Sequence, residues 1–81
     1  MPLIEKNIAK RIERMRISKQ TKVGSEYKYL SRKELAELLY MRESDYNFKL
    51  TGKSPFSVKS LNIISKIYDA DINYILFGGI K

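Results

Sequence analysis

The residues of this chain that could do chemistry are overwhelmingly cationic. Lysine and arginine number 16 against nine acids, a net charge of +7, and histidine and cysteine are both absent. The usual general base, the usual zinc ligands and any disulfide are therefore missing. Serines are numerous, but none has a plausible base. Asp69 and Asp71 form a close acidic pair in a loop-like setting. Two carboxylates without further ligands make a poor metal site, and Asp71 reads better as a helix cap. Gly52-Lys53-Ser54 imitates the end of a phosphate-binding P-loop. The glycine required five residues earlier is Asn47, however, and a helix rather than a strand precedes it. No catalytic activity, metal or cofactor is expected. A basic balance on this scale instead suits a polyanion, most simply nucleic acid, with a solubility surface as the plainer alternative.

The positive charge is unevenly placed. Residues 1–33 hold Lys6, Lys10, Arg11, Arg14, Arg16, Lys19, Lys22, Lys28, Arg32 and Lys33 against Glu5, Glu13 and Glu26, whereas residues 34–81 balance to zero. The polyanion footprint is expected on the first element, the segment after it and the start of the second. With 81 residues the chain is read as a single domain spanning 1–81. No apolar run is long enough to cross a bilayer, and the start lacks the apolar centre of a signal peptide. No membrane partner is expected, and the expected location is the cytoplasm.

Five helices must position these charges. Ile4, Ile8, Ile12 and Met15 form an apolar stripe on a helix over about 4–17. Residues 18–29 are polar, with a Gly24-Ser25 turn signal, and read as a small β-hairpin or a loop. Ser31-Arg32-Lys33-Glu34 is a capping box opening a second helix that ends near Tyr40. Asp45–Thr51 reads as a third helix, with Tyr46 and Leu50 inward and Gly52 as its stop. After Pro55 and Ser57, the stripe Val58, Leu61, Ile64 and Tyr68, with Ile67 beside it, marks a fourth. Asp71 caps a fifth over Ile72–Phe77. The fold class is all-α. The second and third helices, joined by a tight turn at about 39–44, make a helix-turn-helix or an ordinary helical hairpin.

The order Leu30-Ser31-Arg32-Lys33-Glu34-Leu35-Ala36-Glu37-Leu38-Leu39, then Gly52-Lys53, then Leu61 and Ile64, then Tyr68-Asp69-Ala70-Asp71-Ile72-Asn73-Tyr74-Ile75-Leu76-Phe77-Gly78 resembles the Xre-type family. This is the helix-turn-helix family of phage repressors and Cro proteins. The resemblance covers nearly the whole chain outside 18–29. It implies a compact five-helix DNA-binding domain that acts as a dimer on operator half-sites. Several positions depart from the family pattern. Arg32 stands where a phosphate-holding glutamine is usual. Tyr40 stands where the turn often has glycine, so a turn of different shape is expected. Arg42 replaces a small hydroxylated cap, so the third helix is expected to begin at about Ser44. Leu50 replaces a glutamate that pairs with an arginine of the first helix, which would free Arg16 to face DNA. About ten residues are inserted before Leu30.

Within this reading the base readers are Arg42, Glu43, Ser44, Asn47 and Phe48. Arginine suits guanine O6/N7, asparagine adenine N6/N7, and glutamate the cytosine amino group. Phe48 either touches thymine methyls or is a core aromatic. Asp45 is read as a partner of the helix dipole rather than a reader. Glu43 either reads cytosine or pairs with Arg42, the pair being preferred. Phosphate contacts are expected from Arg32, Lys33, Lys49 and Lys53, with Lys10 and Arg14 as further candidates. Lys19, Lys22 and Lys28 in the insert, beside Tyr27 and Tyr29, could reach DNA or a partner chain. Ile75, Phe77 and Ile80 are candidate homodimer contacts. The expected function is a sequence-specific repressor or Cro-like regulator of phage or mobile-element type. The competing reading is a protein-interaction module, an antitoxin or inhibitor on the same scaffold.

Overall fold

The computed structural model describes residues 2–78, with side chains from residue 6 onward. In chain order the elements are α1 (Pro2–Ser18), β1 (Thr21–Val23), β2 (Glu26–Lys28), α2 (Arg32–Leu38), α3 (Glu43–Lys49), α4 (Val58–Tyr68) and α5 (Ile72–Phe77). The domain is mostly helical, with a small antiparallel hairpin where the sequence offers a hairpin or a loop.

Each helix sends a wholly buried side chain to one centre: Ile12, Leu35, Tyr46, Ile64 and Ile75. Full burial of a side chain this size contributes roughly 1.5–3 kcal/mol. The α1 stripe is Ile8, Ile12 and Met15, with Ala9 beside it. Ile4, its expected first member, has a side chain outside the described residues. In α4 the inward residues are Leu61, Ile64 and Tyr68. Val58 does not belong to that stripe, because it sits in the first turn and is 74% exposed. Ile75 is core rather than a dimer contact, and Phe77 is 57% exposed. Ile80 lies outside the described residues.

The 18–29 insert is an ordered hairpin. Gly24, at φ 64, supplies the positive φ that a two-residue hairpin turn needs. Thr21↔Lys28, Lys22↔Tyr27 and Val23↔Glu26 face each other across it. Thr21 donates through Oγ1 to the Ile67 carbonyl at 2.8 Å, Lys19 donates to the Tyr68 carbonyl at 3.1 Å, and Lys28 pairs with Glu34. The hairpin is thus fastened to α2 and to the end of α4. Of the insert's three lysines, Lys19 and Lys28 make such internal contacts.

Candidate nucleic-acid interface

The Ser31 capping box forms as expected. Ser31 N–H donates to Glu34 at 2.9 Å, and Glu34 N–H donates to Ser31 Oγ at 3.1 Å. The bonds from Lys28 and Ser31 hold the Glu34 carboxyl at about 2, well below its ordinary value. At the far end of α2, Met41 N–H donates to the Ala36 carbonyl and Tyr40 N–H to the Glu37 carbonyl. This 6→1 and 5→2 pair is a Schellman stop, which needs a left-handed residue. Tyr40 takes that conformation itself, at φ 61. Holding a tyrosine in this conformation costs roughly 1–2 kcal/mol. The Lys59 ammonium lies 5.6 Å from the Tyr40 ring centroid.

The third helix begins earlier than expected. Arg42 is its N-cap residue and Glu43 its first helical residue, not Ser44 and Asp45. Arginine has no acceptor, so only the return half of a capping box exists. Asp45 accepts from Arg42 N–H at 3.3 Å and from the guanidinium at 3.1 and 3.3 Å. These bonds lower the Asp45 carboxyl and raise the Arg42 guanidinium from their ordinary values. Arg42 therefore pairs with Asp45, and the preferred Glu43–Arg42 pair does not form. Glu43, Ser44, Asn47 and Phe48 all face outward. Phe48 is 53% exposed, which removes the core-aromatic alternative. Tyr46 is the inward residue, packed edge-on against Phe56 at 5.9 Å between ring centroids.

A carboxylate absent from the sequence-based candidates holds this helix in place. Glu13 on α1 accepts from Arg16 at 2.8 and 2.9 Å, from the Tyr46 hydroxyl at 2.6 Å and from Arg32 Nε at 3.1 Å. Burial disfavours its charge, but the bonds from Arg16 and Tyr46 outweigh burial and hold the carboxyl below its ordinary value. Burial first, and then donation to Glu13, pushes the Tyr46 phenol up. Arg16 also donates to the Leu30 carbonyl at 2.9 Å. It is not freed toward solvent, because Glu13, three residues before it on the same helix, pairs with it. The i,i+3 spacing of Glu13 and Arg16 was visible in the sequence. The bond to Tyr46, 33 residues away, was not.

Arg32 reaches farther than its role at the start of α2 suggested. Its Nη1 donates to Asn47 Oδ1 at 3.0 Å, so a phosphate candidate and a base-reading candidate touch. Lys33, Lys53 and Lys10 are exposed. Lys10 precedes Glu13 by three residues and so shares its side of α1. Lys49 turns toward the following loop, donating to Ser54 Oγ at 3.4 Å and the Pro55 carbonyl at 2.9 Å. Arg14 lines a depression with Ala70, Asp71 and Tyr74, between α1 and α5 and apart from α3. Arg11 was also missed: it donates to the carbonyls of Ile75 and Leu76 and closes the end of α5.

An open depression of about 920 Å³ lies between the hairpin, α2 and the end of α4, away from the outward face of α3. Among the described residues no group of three or more potential metal ligands occurs, and no helix is long and apolar enough to cross a membrane. No family model, curated protein or solved structure matches the chain.

Proposed function

We propose that this chain is a sequence-specific double-stranded DNA-binding regulator of the Xre type, with α2 and α3 as its helix-turn-helix. The observation that carries the reading is the division of α3. Its inner residue, Tyr46, is buried and bonded to α1, while Asn47, Ser44, Glu43 and Phe48 on the other side are exposed, Asn47 with a bond from Arg32. A short helix fixed from behind and bare in front is what entry into a major groove requires. Asn47 suits adenine, and the bond from Arg32 orients its amide: Oδ1 is turned to the guanidinium and keeps a second lone pair for adenine N6–H, while Nδ2 can donate to N7. Arg42 reads guanine by exchanging Asp45 for a base edge. Phe48 meets a thymine methyl. Lys33, Lys53 and Lys10 take phosphates while Arg32 stays bonded to Glu13 and Asn47 with only its remaining N–H groups turned to the backbone, and a homodimer occupies two half-sites of an operator, the mode of a repressor or Cro-like protein.

The test is selection of bound duplexes from random DNA, with the mass in solution measured alongside. One palindromic site should emerge. Lys33, Lys53 and Lys10, doubled in a dimer, give a slope of log K against log salt of about −5, because Glu13 holds Arg32. Equal affinity for the selected and scrambled duplexes at 200 mM salt would defeat the proposal. The unpaired acid Glu43 on the outward face favours the second reading, a protein partner; a stable 1:1 heterocomplex with no duplex shifted would establish it instead.

A further inference from the structure

We infer that Glu13 restrains the reading face: it limits how much of the Arg32 charge reaches DNA and keeps that guanidinium beside Asn47. The inference rests on the DNA-binding reading. One planar guanidinium spans a carboxylate on α1 and an amide on α3, at 3.1 and 3.0 Å. The other guanidinium on Glu13 is much less accessible. Arg16 has a side chain only 15% exposed and is bonded to Leu30, whereas Arg32 is 44% exposed. Arg32 is therefore the member of the cluster that an outside anion can reach, and Glu13 competes with that anion for it. A phosphate that claims Arg32 entirely must draw it away from Glu13 and from Asn47. A cognate duplex that seats Asn47 on its base leaves the bridge assembled. The restraint thus weakens binding to arbitrary sequence more than binding to the selected site. An exposed ion pair of this kind contributes little to stability, so its consequence lies in where charge is held.

Glu13→Gln removes the charge and keeps an acceptor for Tyr46. On scrambled duplex, the slope of log K against log salt should steepen by about 0.9 per protomer. Preference for the selected site over scrambled DNA should fall roughly five- to a hundredfold. In an Arg32→Gln background the same change should leave the slope where it was, because the competed cation is gone. An unchanged slope in Glu13→Gln, or an equal change in both backgrounds, would overturn the inference, the latter by marking Glu13 as structural only. Should Glu13→Gln fail to fold, Arg32→Lys offers a second route. Lysine keeps the charge but cannot span two partners with a fixed fork. Selectivity at the base pair read by Asn47 should drop while the salt slope stays; retained selectivity overturns the restraint. Wild-type protein that selects no duplex removes the DNA-binding reading and this inference together. Wild-type protein that selects a site while both variants match it removes the inference alone.

Discussion

Replacing Tyr46 by phenylalanine deletes one oxygen atom from the junction of α1 and α3. The ring remains, fully buried and edge-on to Phe56, so no cavity opens. What is lost is the 2.6 Å bond to the Glu13 carboxylate. Hydrogen bonds to charged groups contribute about 1.5–3 kcal/mol. Glu13 keeps its bonds from Arg16 and Arg32, so the cost should fall near the lower part of that range, about 2 kcal/mol. A domain of this length has roughly 4–12 kcal/mol in total, so the loss is a large fraction. At about 4–8 °C per kcal/mol the melting temperature should fall by roughly 8–16 °C. Urea unfolding followed by far-ultraviolet circular dichroism should show a lower midpoint with an unchanged slope. The deficit should also depend on pH. The Glu13 carboxyl lies below its ordinary 4.5 in the folded protein, so its contribution is present above that value and is lost as pH falls through the folded pKa. The Tyr46→Phe deficit should therefore narrow once pH drops below 4.5 and through the folded pKa of Glu13. A loss under 0.5 kcal/mol, or a deficit that persists after the carboxyl is protonated, would refute the account of Glu13 as a charged hub.

Three other outcomes are expected. Asn47→Ala should relax the selected consensus at one base pair by about 1–3 kcal/mol; an intact consensus would mean that the reading face is elsewhere. Tyr40→Gly should raise stability by about 0.5 kcal/mol, the relief of left-handed strain exceeding the lost contact with Lys59 and the added chain entropy; a lower urea midpoint would contradict this. The Glu34 carboxyl should titrate near 2 by nuclear magnetic resonance, and Lys28→Ala should move it back toward 4.5. Since the folded value is the lower one, the contribution of this link between hairpin and α2 is present above about pH 5 and declines toward pH 2.

Local signals carried much of the architecture. The α1 stripe, the Ser31 box, the Asp71 cap and the Leu61, Ile64 and Tyr68 face all rest on spacings of two to four residues, and all five helices lie close to their expected positions. The departures arise where a neighbouring group or a packed face claims a side chain. Lys49 bonds the Ser54–Pro55 loop that follows its helix. Ile75 was read as a dimer contact in an apolar tail, but α5 turns that face onto the core. Arg16 was expected to face outward because Leu50 offers no carboxylate, yet Glu13 on its own helix supplies one.

The chain alone determines its cationic first half, the lack of histidine and cysteine, and the periodicities that place five short helices around an apolar centre. Those properties depend on composition and on neighbours within one or two turns. Tertiary structure decides which charges remain outward. Arg32, Tyr46 and Asn47 come from α2 and α3, and their bonds with Glu13 of α1 and with one another, all within 3.1 Å, form only once the three helices pack. A side chain's partner depends on the direction in which its helix face is turned, and that direction is set by the whole core rather than by any local stretch of the chain.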